Sequence, residues 1–160
     1  VNVSAYVNYA CLFFHVSFGR LHTIQNRRSK GPAAAKNSWI ENSTWTSQNM
    51  GLLGTLLLAF IIIHLANFWF KVKFLHDDQD LYQMVITLFS NPWYVLLYTL
   101  AMLPLALHLA HGLKSAFKSL GLYHTKYLRW VAVFSFPYAW LVVFGFAALP
   151  VCLFFNQPAS

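Results

Sequence analysis

The sequence predicts an all-α integral membrane fold: four transmembrane helices in one bundle, with a short interfacial amphipathic helix between the second and the third. Three observations carry this. Of the 160 residues, 58% are hydrophobic and 9% charged, where soluble domains hold about 45–50% and 25%. Uncharged apolar runs recur at roughly the 20-residue length that crosses a hydrocarbon core. Lys and Arg gather in two of the three connections between those runs, as topology signals do. The expectation is a single membrane domain, 1–160, with spans at about 1–24, 50–70, 92–113 and 130–155 and the interfacial helix at about 79–90.

The first run, the least hydrophobic, carries Asn2, Ser4 and Asn8 near its start and ends in Arg20, Arg27, Arg28, Lys30 and Lys36, broken by Gly31-Pro32. The chain starts at Val1, without Met and already close to this run, which leads us to expect a segment upstream. A loop rich in Ser, Thr, Asn and Trp follows over 37–48. The second run, from Met50 to Phe70, is uncharged, with Trp69, Lys71 and Lys73 marking its interface. Leu81, Met84, Val85 and Leu88 then recur at helical spacing beside Asp77, Asp78 and Asp80, the pattern of a helix lying along a membrane surface. Asn91-Pro92 opens the third span with Pro in the first turn, where its missing N–H is not needed. The fourth span begins at Trp130 and holds Pro137 and Pro150, tolerable where neighbouring helices satisfy the freed carbonyls.

Charge orients the chain. The first connection holds five Lys/Arg and the third holds four (Lys114, Lys118, Lys126, Arg129), whereas the second holds two beside three Asp. Both basic connections are therefore expected on the cytoplasmic side. So distributed, the net charge of +7 reads as topology, and no nucleic-acid partner is expected. The acidic residues Glu41, Asp77, Asp78 and Asp80 all lie outside the apolar runs. Proton or cation pathways through a membrane usually need a carboxylate within it, so neither is expected. Cys11 and Cys152 both fall in apolar stretches, without the spacing of a disulfide or metal site.

The chemistry lies in the histidines. His15, His64 and His108 sit inside apolar runs, His22 and His111 nearer the cytoplasmic ends, and His76 and His124 in connections. An imidazole within a membrane is costly unless it has a use. One such residue is adequately read as an interhelical hydrogen bonder; three together point to haem iron, for which neutral imidazole is a common axial ligand. His15 precedes Arg20 by five residues and His108 precedes Lys114 by six. At 1.5 Å rise per residue, both belong to the cytoplasmic half, on helices running in the same direction, where they could grip one iron from opposite sides. His64 lies on a helix of opposite direction and hence in the outer half; its mate would come from a helix outside this chain.

Gly19 follows His15 by four residues and Gly112 follows His108 by four. Positions i and i+4 share a helix face, so each glycine clears backbone for a flat ring; close helix packing through small residues is the rival explanation. His111 is the alternative ligand on the third span. His22 is a candidate propionate hydrogen bonder or an interfacial polar tip. Arg20, Arg27, Arg28 and Lys114 are candidate propionate partners or simply solvated among headgroups.

Several of these segments resemble the five-helix cytochrome b anchor of succinate dehydrogenases and fumarate reductases. They are His15-Val-Ser-Phe-Gly19 with Thr23-Ile-Gln-Asn-Arg-Arg28, Ser43-Thr-Trp-Thr-Ser-Gln-Asn-Met-Gly51, Ile63-His64-Leu-Ala-Asn-Phe-Trp69, Asn91-Pro-Trp-Tyr94, and His108-Leu-Ala-His-Gly112 with Ser115-Ala-Phe-Lys-Ser-Leu-Gly121. The resemblance covers nearly the whole chain. It implies a subunit of the bacterial cytoplasmic membrane that anchors an iron–sulfur subunit and a flavoprotein on the cytoplasmic face, holds two b haems and exchanges electrons with membrane quinone. It further implies His15 and His108 as ligands of the inner haem and His64 as one ligand of the outer haem, whose other ligand lies on a first helix that this sequence lacks. Ser43, Trp45 and Ser47 become candidate quinone or propionate contacts, against a reading as helix caps or interfacial anchors. Two other readings remain: a dihaem b subunit of a membrane hydrogenase or formate dehydrogenase, and a haem-free structural anchor. A transporter is less well supported, since midplane charges and broken helices are not evident.

Overall fold

The computed structural model describes residues 3–29, 45–74, 80–121 and 124–156, and every regular element among them is helical. Helix α1 is Val3–Ser29 and α2 the single turn Trp45–Gln48. Helix α3 spans Met50–Phe74; its α-helical body, Met50–Leu65, passes through a π turn, Ala66–Phe70, into a last α turn, Lys71–Phe74. Helices α4, α5 and α6 are Leu81–Phe89, Pro92–Ser119 and Thr125–Phe155. The chain divides into two compact units, Val1–Thr55 and Leu56–Ser160.

Among the described residues, three helices are long and apolar enough to cross a membrane: Met50–Phe74, Pro92–Ser119 and Tyr127–Phe155, of 25, 28 and 29 residues. They correspond to the second, third and fourth expected spans. The first expected span does not join them. Helix α1 has the length, at 27 residues, but Asn8, His15, Arg20, His22 and Gln25 interrupt its apolar run. The helices also outlast the apolar runs that announced them, α1 reaching Ser29, α3 Phe74 and α5 Ser119, while α6 starts at Thr125. The extra turns hold Lys, Arg and Gln, which are good helix formers.

In the second unit, α5 and α6 form the main packed pair. Tyr98, Met102 and Ala106 line one side of α5 at four-residue spacing, and Ser135, Ala139 and Val143 do the same on α6. Ala139 is 0% exposed and Ala106 1%. With no water to expel between helices in lipid, close backbone approach through small residues becomes the main source of attraction. Met102, Ala106 and Val143 form the core of this contact, flanked by Phe60, Ala101, Leu105, Trp140 and Ala147. The Ser135 hydroxyl is satisfied within its own helix by donating to the Val131 carbonyl. Leu141, Phe144 and Trp93 face outward with most of their surface open, which is costly in water and not in hydrocarbon.

Helix α4 is amphipathic as expected, but its apolar side meets protein. Met84 and Phe89 are buried, and the helix packs against α5 and α6, while Leu81 and Tyr82 stay exposed. At the start of α5, Asn91 Oδ1 accepts from Trp93 N at 2.9 Å with Pro92 in the first turn. This N-cap fixes where the long helix begins. Pro104 lies within α5, and Pro137 and Pro150 within α6, without ending either helix.

In the first unit, Gly51 meets Thr23. A Cβ built on Gly51 would stand 2.7 Å from Thr23 Cγ2 and 3.2 Å from its Oγ1. The Thr23 hydroxyl is itself committed, donating to the Gly19 carbonyl at 2.8 Å. Glycine is what allows α1 and the start of α3 to come this close.

Candidate functional site

His15 is exposed on α1, between Phe14 and Phe18, whose rings stack at 6.3 Å. One turn on, Gly19 opens onto empty space, since a Cβ there would meet nothing within 4 Å. His108 is half-buried on α5 and Gly112, one turn later, is equally open. His111 is half-buried and Lys114 exposed. Gly145 on α6 is as open as either glycine, so open space alone does not mark a ring site. What sets Gly19 and Gly112 apart is the imidazole four residues before each. His15 lies in the first unit and His108 in the second; each stands with its own glycine.

His64 has the more fully described surroundings. Its ring centroid lies 5.2 Å from Phe68, 6.0 Å from Tyr98 and 6.1 Å from Phe60. Tyr98 is held in turn by edge contacts with Phe60 at 5.0 Å and Phe89 at 5.1 Å. Its hydroxyl accepts from Asn67 Nδ2 at 3.2 Å. The imidazole is backed on one side by aromatic rings and remains exposed. Histidine, tyrosine and asparagine thus meet between α3 and α5, the asparagine sitting on the π turn. Such turns recur where a helix serves a function. Neither Asn67 nor Tyr98 was singled out from sequence. The signal available for Asn67 was an amide inside the apolar run from Met50 to Phe70, three residues after His64; nothing distinguished Tyr98 from any other interfacial tyrosine.

No family model, curated protein or solved structure matches this chain.

Arg20, His22, Trp45 and Ser47 belong to the first unit. Arg20 and His22 are exposed on α1. Trp45 and Ser47 are exposed on α2, whose turn is closed by Asn49, with both its backbone N–H and Nδ2 donating to the Trp45 carbonyl at 3.1 and 2.9 Å. That is the geometry of a structural turn at a helix entrance. Ser43 and His76 lie outside the described residues. Cys11 and Cys152 are free thiols. Among the described residues no three His, Cys, Asp or Glu side chains gather as they would around a bare metal ion; a bis-imidazole site needs two.

Proposed function

We propose that this chain is the haem b-binding membrane anchor of a succinate:quinone or fumarate:quinone oxidoreductase in a bacterial cytoplasmic membrane, with α1 serving as a fourth span of the bundle. The reading rests on the repeated pairing of an intramembrane histidine with an open glycine one turn later, His15 with Gly19 and His108 with Gly112. A Cβ added at either glycine would meet no atom of a neighbouring element within 4 Å among the described residues. The donor set fits haem, since two neutral imidazoles are a common axial pair and flat rings need backbone to come near.

Bound haem supplies one-electron chemistry; the chain's own residues hold, orient and insulate. His15 and His108 would be the residues that hold its iron, through imidazole nitrogens. Arg20 and Lys114, exposed near the basic ends of α1 and α5, offer charge-assisted donors to propionates. His64, exposed and backed by Phe60, Phe68 and Tyr98, would hold a second haem together with an imidazole from another helix. The π-faces around it keep water from one side. An iron–sulfur subunit and a flavoprotein dock on the basic, cytoplasmic side, and quinone exchanges electrons within the membrane, with Ser43, Trp45 and Ser47 as candidate contacts.

A reduced-minus-oxidised difference spectrum of the protein in membranes tests this. We expect a b-type band, lost in its inner-haem component in His15→Ala and His108→Ala and retained in His111→Ala. Absence of any b-type band leaves a haem-free anchor. Loss in His111→Ala alone transfers the ligand role to that residue. Co-purification with a succinate-oxidising flavoprotein separates this anchor from a hydrogenase or formate dehydrogenase subunit.

A further inference from the structure

A cavity of about 210 Å³ opens where the end of α3, the helix α4 and the start of α5 come together. Its volume is several times the roughly 30 Å³ share of one liquid water. Met84 and Leu88 of α4 give it an apolar wall. Polar groups converge from all three helices: Asn67 and Lys71 from α3, Thr87 from α4, and Asn91 and Tyr94 at the start of α5. Among the described residues no carboxylate lines it, and Lys71 brings a positive charge to its rim.

The hydrogen-bond inventory is lopsided. Asn91 uses its Oδ1 to cap α5, leaving Nδ2 as a donor. Thr87 and Tyr94 each keep a hydroxyl, and Lys71 has three N–H donors. Asn67 spends its Nδ2 on Tyr98, so its Oδ1 remains as an acceptor. A ligand matched to this set is an anion with several acceptor oxygens and a hydroxyl beside them. Depth narrows the source. Trp69, Tyr82 and Trp93, on the same ends of α3, α4 and α5, are all exposed, and amphipathic rings of this kind collect at the headgroup level of a bilayer. The N-terminus of α5 adds little, because its first N–H groups are already engaged by Asn91.

We propose that this cavity binds the headgroup of an anionic phospholipid, with Lys71 as counter-charge, Asn91, Thr87 and Tyr94 as donors to the phosphate, and Asn67 Oδ1 as acceptor for a headgroup hydroxyl. Met84 and Leu88 lie against the glycerol backbone. The inference concerns the second unit alone and does not depend on haem.

The test is native mass spectrometry of the full chain, delipidated in mild detergent and titrated with dioleoyl phosphatidylglycerol, dioleoyl phosphatidylcholine or inorganic phosphate. We expect one phosphatidylglycerol to be retained in preference to phosphatidylcholine and not to be displaced by millimolar inorganic phosphate. Lys71→Gln should weaken that binding about fivefold, the contribution of one lysine near an anionic lipid surface. Asn91→Asp keeps a good N-cap while placing a negative charge in the cavity, and should weaken it at least as much with helix content unchanged. Lys73→Gln, exposed but outside the cavity lining, should bind like wild type. Wild-type affinity in both Lys71→Gln and Asn91→Asp would overturn the proposal. Displacement by inorganic phosphate as effective as that by lipid would overturn the headgroup as the source of the anion.

Discussion

Gly51→Ala places a methyl carbon 2.7 Å from Thr23 Cγ2, about 1 Å inside the roughly 3.5–4.0 Å at which carbon atoms attract. Thr23 has little freedom to yield. Turning its χ1 would carry Oγ1 away from the Gly19 carbonyl, 2.8 Å distant, and Thr rotamers in helices are few. Overpacking of this kind costs about 1–3 kcal/mol. Against it stands the intrinsic gain of alanine over glycine within a helix, about 0.5–1 kcal/mol. The net expectation is a loss of about 0.5–2 kcal/mol. Thr23→Ala in the same chain removes both Cγ2 and Oγ1 and leaves Thr23 Cβ as the nearest atom, at an ordinary 3.6 Å. The double variant should therefore recover the lost stability and keep the alanine gain, giving a favourable coupling of about 1–3 kcal/mol. Reversible unfolding in mixed detergent micelles, followed by helical circular dichroism for wild type, both single variants and the double, measures each corner of the cycle. Gly51→Ala more stable than wild type with Thr23 intact would refute the close approach.

Two further substitutions separate packing from ligand binding. Ala139→Leu, at the fully buried centre of α6, forces apart the α5–α6 pair and should lower unfolding stability by about 1–3 kcal/mol in the same assay; an unchanged midpoint would remove the small-residue contact as the seat of the core. Gly112→Leu, at a position where a Cβ meets nothing within 4 Å, should keep helix content and leave the unfolding midpoint of the haem-free protein no lower than wild type, while abolishing the inner-haem band. A normal spectrum in that variant would take the ring away from this face of α5.

The long apolar helices were readable because length and uniform apolarity are properties of a segment by itself. Met50 to Phe70, the third span and the fourth all reappear as helices, and Asn91-Pro92 begins α5 by the expected means. The amphipathic spacing of α4 was also legible, but not the surface its apolar side would meet, because Met84 and Phe89 are the same residues whether lipid or protein covers them. The first expected span shows the limit of pattern: α1 is helical throughout, yet its polar residues keep it out of the set long and apolar enough to cross. What sequence did not yield was contact between helices. Gly51 against Thr23 and Asn67 against Tyr98 join residues far apart in the chain, and in a lipid-like setting such pairings follow local shape more than hydrophobicity. The π turn left no trace because Ala66–Phe70, a run of mostly bulky residues, fits an ordinary helix equally well. The histidine–glycine repeats were visible as spacing; the space beside each glycine was not.

The wider turn at Ala66–Phe70 also changes how α3 must be drawn. One residue more than an α turn shifts the angular phase of everything after it by about 100°. Lys71 and Trp69 therefore do not occupy the azimuth that counting forward from His64 would assign. Removing a single residue from that turn would cost the helix hardly any length, yet would rotate its lysine-bearing tip by more than a quarter of a circle. Insertions and deletions here act as a dial on side-chain direction, and alignments that slide a gap through this stretch would exchange one face for another.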